Sequence, residues 1–313
     1  MFKIDCHSHF FDPFIHDGIS QIFRGNDVQE RENLATSAKR EFLSPEDRIK
    51  LMDRAGVDIS ATGYQIAWQR YDETKYPASV RVSISRLIND RLAEVIQKYP
   101  DRFIMLADMP LMDVTASIEE LKRSHKLGAK GLCLNTNVIG KPLTGAEFEP
   151  FWLEVDRLGL PVFLHPRSNL TEQRISRQYY HNMVGFPCET TVAACDFLVA
   201  GFFDKYKRIN IMLCHCGGAL PFIRTRLDDT PPLYGDPSVG SLINKFFYDN
   251  AISFPRQLQF TIDEVGLDQM CYGSDYPYFG FTDFMKPIEA LNLDDKEKEK
   301  IYSGNARRFF GIT

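Results

Sequence analysis

The stretch Phe2-Lys3-Ile4-Asp5-Cys6-His7-Ser8-His9-Phe10-Phe11 puts two imidazoles one residue apart at the end of a short, β-rich apolar run. Side chains on a strand alternate between two faces, so His7 and His9 share a face and can reach one ion together. Seven more runs of this kind follow, at 57–64, 103–109, 130–135, 160–165, 209–215, 246–252 and 269–275. Helical segments fill the gaps. Ser44-Pro45-Glu46-Asp47 supplies a cap, a first-turn proline and two acids ahead of an amphipathic run that stops at Gly56. Residues 79–99, 113–128, 144–159, 187–205 and 256–266 repeat the form, and a last helix closes the chain near Ser303. Eight strands alternating with helices predict an α/β fold, a (β/α)8 TIM barrel, over a single domain spanning 1–313. The stretches 10–43 and 166–186 show neither strand nor core-helix character. They are expected to be loop insertions after strands 1 and 5 that wall the active site.

Composition narrows the setting. Across 313 residues there are 37 Lys and Arg against 42 Asp and Glu, a formal charge of −5, with the basic residues scattered, so no nucleic-acid partner is expected. The apolar stretch 192–203 is too short to span a bilayer and contains Asp196. Lys3 and Asp5 come too early for a secretory leader, which leads to the expectation of a cytoplasmic protein with no membrane partner. Seven cysteines without a C-x-x-C pair indicate neither a disulfide framework nor a zinc ribbon. Cys214-His215-Cys216 looks like a metal cluster, but a strand there would point both thiols away from the imidazole. No thiol ligand is expected.

His7, His9, His165, His215 and Asp275 all fall at the carboxyl ends of expected strands, where barrel enzymes keep their chemistry. His16, His125 and His181 have no such placement. Two imidazoles on strand 1, a third on strand 5 and the Asp275 carboxylate on strand 8 form a donor set for one divalent metal ion, zinc first, with manganese, cobalt or iron as alternatives.

These residues resemble the metal-dependent amidohydrolase superfamily, and more closely its aminocarboxymuconate-semialdehyde decarboxylase branch. The resemblance covers nearly the whole chain through "IDCHSHFF", "SPEDRIKLMDRAGVD", "VFLHP", "VGFPCETTVAACDFLVAGFFDKY", "HCGGALPF", "YGSDYPY" and "GNARRFFG". It implies that His7, His9, His165 and Asp275 are metal ligands and that His215 is the catalytic histidine. Asp275 could instead serve as the catalytic base, as in hydrolytic relatives. No lysine stands where a bridging carbamate would need it, so one metal is expected.

The resemblance also implies an arginine ahead of the 45–55 helix that binds a substrate carboxylate; Arg40 is the nearest match, with apparently one residue fewer before the helix. A second arginine would cross to a partner subunit's site, a role for Arg224 or Arg226 that requires a homodimer. Arg167, directly after the strand-5 His-Pro, and Tyr278 complete the substrate-binding candidates. Asp5, Glu189 and Ser274 are candidates to support the ligands from behind. The tryptophan expected before "VGFP" is absent and "DYPYFG" replaces "DYPFPLG". Aromatic loops at Tyr179, Tyr180, Tyr278 and Phe279 point to a small aromatic acid as substrate.

The resulting expectation is a non-oxidative decarboxylase, a carboxy-lyase of a small aromatic or unsaturated carboxylic acid, working through metal-bound water and His215. The alternatives are a hydrolase of a lactone or amide, or a hydratase, on the same scaffold, and a catalytically silent barrel that only binds metal or small acids.

Overall fold

The computed structural model describes residues 1–23, 42–64, 76–167, 181–228 and 239–312. Eight parallel strands form one sheet in sequence order: β1 (Ile4–His9), β2 (Ile59–Gly63), β3 (Phe103–Asp108), β4 (Gly131–Asn135), β5 (Val162–His165), β6 (Ile211–Leu213), β7 (Phe247–Asp249) and β8 (Met270–Cys271). Every strand of the sequence reading is present. Hydrogen bonds from Cys6 N to Tyr272 O (2.9 Å) and from Asp275 N to His7 O (2.8 Å) join the last strand to the first, so the sheet curls into a nearly closed (β/α)8 barrel.

The longer helices are α1 (Pro13–Phe23), α2 (Pro45–Ala55), α3 (Ala78–Lys98), α4 (Val114–Lys126), α5 (Glu149–Leu158), α6 (Phe186–Val199), α7 (Pro255–Val265) and α8 (Asn305–Phe310). α2 starts as its sequence dictates: Ser44 Oγ accepts from Asp47 N, Pro45 fills the first turn, and Gly56 closes the helix at φ 67. α1 corrects one expectation. Residues 10–43 were read as a loop without core helices, yet Ile15 and Ile19 of α1 are buried in the outer core. The stretch 13–23 forms about three turns, whose apolar side packs against α3.

Two apolar layers follow from strand alternation. Met105, Leu132, Leu164 and Leu213 face outward into the core shared with the helices. Ile104, Cys133, Phe163, Met212, Phe247 and Cys271 face inward and fill the barrel below its mouth, capped by Phe309 and Phe310 of α8. β1 breaks this alternation. Ile4 and Cys6 belong to the inner layer, yet His7 also points inward, its ring 4.8 Å from that of Phe163. The pairing register between β1 and β2 shifts between Asp5 and Ser8. This irregularity turns the strand by one residue, so that the imidazoles take the inner face directly above Cys6.

Candidate active site

At the mouth, the donor atoms of His7, His9, His165 and Asp275 all lie within 4.8 Å of one another, and all four residues are buried. Their positions follow from strand ends: His9 closes β1, His165 closes β5, and Asp275 lies four residues after β8. His7 Nδ1 sits 2.8 Å from Asp249 Oδ2 at the end of β7. The same aspartate accepts from His215 N at 2.9 Å through Oδ1. Asp249 therefore orients the His7 imidazole and anchors the backbone of His215. The sequence reading passed over this aspartate, although it stands at a strand end like the others.

His215 does not belong to a strand. β6 ends at Leu213, and the chain turns through four consecutive left-handed residues, His215 (φ 55), Cys216 (φ 56), Gly217 (φ 72) and Gly218 (φ 66). The thiols are kept from the site by this turn, not by strand alternation as expected, and no cysteine belongs to the donor cluster among the described residues. Asp275 is left-handed too, at φ 53. Such a conformation costs a non-glycine residue roughly 1–3 kcal/mol and persists where surrounding packing holds it. The turn brings His215 Nε2 to 3.7 Å from Asp275 Oδ2.

Burial alone would depress the His7 imidazole, but the charges of Asp249 and Asp275 and the bond to Asp249 raise it to about 10. Burial would raise the Asp275 carboxyl; the charge on His7 and the imidazoles around it hold it well below the usual range instead. Burial pushes His9 down to about 4 against the pull of Asp275. It takes His165 well below its ordinary value, with the neighbouring imidazoles adding to the effect. His9 and His165 are thus neutral, the form in which imidazole binds metal.

A cation fits this set. His7 Nε2 is fully buried and has no hydrogen-bond partner among the described residues, with Asp275 Oδ1 3.3 Å away. Its other nitrogen is fixed by a carboxylate, the usual second contact of a metal-binding histidine. Three imidazoles and one carboxylate form an N3O set.

Asp5 accepts from His7 N, Ser274 N and Ser274 Oγ, tying β1 to β8 behind the site. Glu189 accepts from Asn137 Nδ2. The Tyr278 ring lies 5.1 Å from that of His9, edge-on, at the rim. Arg167 is buried, with its backbone N donating to Thr136 Oγ1. Arg224 donates to the Glu264 carbonyl at 2.9 Å on α7. Arg40, Tyr179 and Tyr180 lie outside the described residues.

A parallel barrel whose strand ends gather three imidazoles and a carboxylate around one point defines an enzyme built to work with a bound cation. The chain matches the amidohydrolase family model over residues 4–312, and it belongs to that family. It is 31% identical over 288 residues to gamma-resorcylate decarboxylase of Rhizobium sp. (strain MTP-10005), covering 85% of this chain and 86% of that one. It is 28% identical over 278 residues to 2-amino-3-carboxymuconate-6-semialdehyde decarboxylase of Dictyostelium discoideum, covering 86% of this chain and 77% of that one. Among solved structures, a dihydroxybenzoic acid decarboxylase from Polaromonas sp. JS666, with bound manganese and the inhibitor 2-nitroresorcinol, superposes with a TM-score of 0.81 at 25% identity. It covers 99% of this chain and 97% of that one.

Proposed function

We propose that this protein is a metal-dependent, non-oxidative decarboxylase of a small aromatic carboxylic acid, a carbon–carbon lyase of the amidohydrolase superfamily. The observation that carries the reading is the buried cluster of His7, His9, His165 and Asp275 beside His215, in a chain with several decarboxylases among its relatives. The hydrolase alternative has less support, because these relatives break carbon–carbon bonds.

His7, His9, His165 and Asp275 would hold one divalent ion, and zinc suits their N3O set, with manganese the alternative on the strength of the Polaromonas structure. When bound, the ion supplies positive charge that anchors the substrate's oxygens and stabilises charge developing on them. The remaining work falls to the chain itself. His215 Nε2 is buried and has no hydrogen-bond partner among the described residues, so it is the atom that can hold and deliver a proton. The proton adds to the ring carbon bearing the carboxylate. The bond to the carboxylate then breaks, its electron pair returns to the ring, and carbon dioxide leaves. Asp249, accepting from the His215 backbone N–H, holds the turn that carries this imidazole. Tyr278 and Phe11, whose rings lie 5.9 Å apart beside His9, wall the mouth with aromatic surface suited to a planar ring. Arg167, with Arg40 and Arg224 as the other candidates, would meet the carboxylate, Arg224 acting across a homodimer.

No helix among the described residues is long and apolar enough to cross a membrane. Seven free cysteines accord with a reducing, cytoplasmic setting.

The test is to load the protein with zinc or manganese, supply dihydroxybenzoates and muconate-type acids alongside lactones and amides, and follow carbon dioxide and ultraviolet absorbance. Carbon dioxide release from an aromatic acid supports the reading; turnover of only lactones or amides overturns it.

A further inference from the structure

Arg48, in the "SPEDRIKLMDRAGVD" stretch, takes no part in the chemistry above, yet it is one of the most deeply buried charges in the molecule. It rises from α2 on the outer side of the barrel wall, behind the imidazoles. Its Nη1 donates to the His9 carbonyl at 2.7 Å, and Nη2 lies 3.4 Å from Ser60 Oγ on β2. The guanidinium carbon sits 4.9 Å from the Tyr276 ring centre, 5.6 Å from Phe10 and 5.7 Å from Phe281. Among the described residues no carboxylate comes within ion-pair distance of it.

Burying a guanidinium without a carboxylate costs several kcal/mol, which a simple packing role would meet more cheaply with leucine or methionine. What Arg48 gains is position. The His9 peptide is gripped on both sides, because its N–H donates to Tyr276 O at 2.7 Å while its carbonyl accepts from Arg48. Tyr276 lies under the guanidinium and directly follows Asp275, so one planar group touches the backbone of one donor and the neighbour of another. His9 Nε2 and Asp275 Oδ1 stand 2.8 Å apart. A shift of either chain segment would open that spacing.

We propose that Arg48 is a positioning residue that holds His9 and Asp275 at cation-binding distance through its fork and its stack on Tyr276. The inference rests on the cation reading of the site and is independent of which substrate is used.

The experiment measures zinc and manganese affinity by chelator competition on the folded protein, with the Mn2+ electron paramagnetic resonance spectrum as a second readout. It compares wild type with Arg48→Met, which keeps the apolar stem, and Arg48→Lys, which keeps charge and one donor. Affinity is expected to fall ~10–100-fold in Arg48→Met, in the range seen when groups behind metal ligands are removed. Arg48→Lys is expected to fall between, ~3–10-fold, because an ammonium lacks the planar stack. The Mn2+ spectrum should broaden in the same order. A Met variant that binds as tightly as wild type, whatever its melting temperature, overturns the proposal. Should Arg48→Met not fold, Arg48→Lys decides: affinity and spectrum equal to wild type overturn it. Failure of wild type to bind either ion would instead sink the cation site itself.

Discussion

His7 Nδ1 lies 2.8 Å from Asp249 Oδ2, and neither side chain is exposed to solvent. The carboxylate fixes which nitrogen carries the proton and leaves Nε2 facing the other three donors.

Asp249→Asn keeps the shape but presents an amide that no longer offers a carboxylate to Nδ1. Metal affinity should drop ~10–100-fold, and isothermal titration of the metal-stripped variant reads it directly. Unchanged affinity would show that His7 needs no orienting partner.

Gly273 has no side chain because there is no room for one. A Cβ there would stand 2.8 Å from His7 Cβ and 2.9 Å from Asp249 Cβ. Gly273→Ala should destabilise the fold by ~1–3 kcal/mol through overpacking and weaken metal binding with it. Chemical denaturation combined with metal analysis tests both halves, and a variant as stable and metal-replete as wild type contradicts the geometry.

Metal binding through His7 should depend on pH. The value of this imidazole is raised from 6.5 to about 10 in the metal-free site. A raised imidazole stabilises the metal-free fold below the unfolded value, and this stabilisation is lost as pH climbs towards the folded one. A cation on Nε2 replaces the proton and removes that dependence. The melting temperature of metal-loaded over chelator-treated protein should therefore pull further ahead from pH 7 to pH 9. Scanning fluorimetry at several pH values measures it; a constant gap argues that His7 does not bind the ion.

His215 and Asp275 separate by metal content. His215→Asn should keep its metal and lose ~10²–10⁴-fold in carbon dioxide release, the usual contribution of a group that moves a proton. Asp275→Asn should lose metal and turnover together. An Asp275 variant that stays fully loaded but inactive would move Asp275 from ligand to base.

At the carboxyl end of β3, Arg81 binds Asp108 through both nitrogens, with Arg81 Nη2 2.8 Å from Asp108 Oδ1 and both groups buried. Arg81→Ala leaves an uncompensated carboxylate and should cost ~3–5 kcal/mol in urea unfolding. A loss below ~1 kcal/mol would show that water reaches Asp108 readily.

All eight strands were legible because each is a short β-rich run bounded by turn residues, and the four residues of the buried donor cluster because they stand at or near the ends of such runs. Asp249 and Arg48 were not legible. An aspartate ending a strand and an arginine in a helix look ordinary until the barrel closes and brings β7 beside β8 and α2 behind β1. Helix α1 was not legible either, and what marks it as part of the fold is the burial of Ile15 and Ile19 where it packs against α3.

The chain's amino acids by themselves determined the alternation of strand and helix and the presence of imidazoles and a carboxylate at strand ends, because period and residue type are local properties. Only the tertiary structure decided which way those groups face. Simple alternation places Cys6 and His7 on opposite sides of β1, and the register shift against β2 turns both inward. The left-handed turn after β6 likewise swings His215 to Asp275. Both devices exist only through pairing with neighbouring strands, whose partners lie tens to hundreds of residues away.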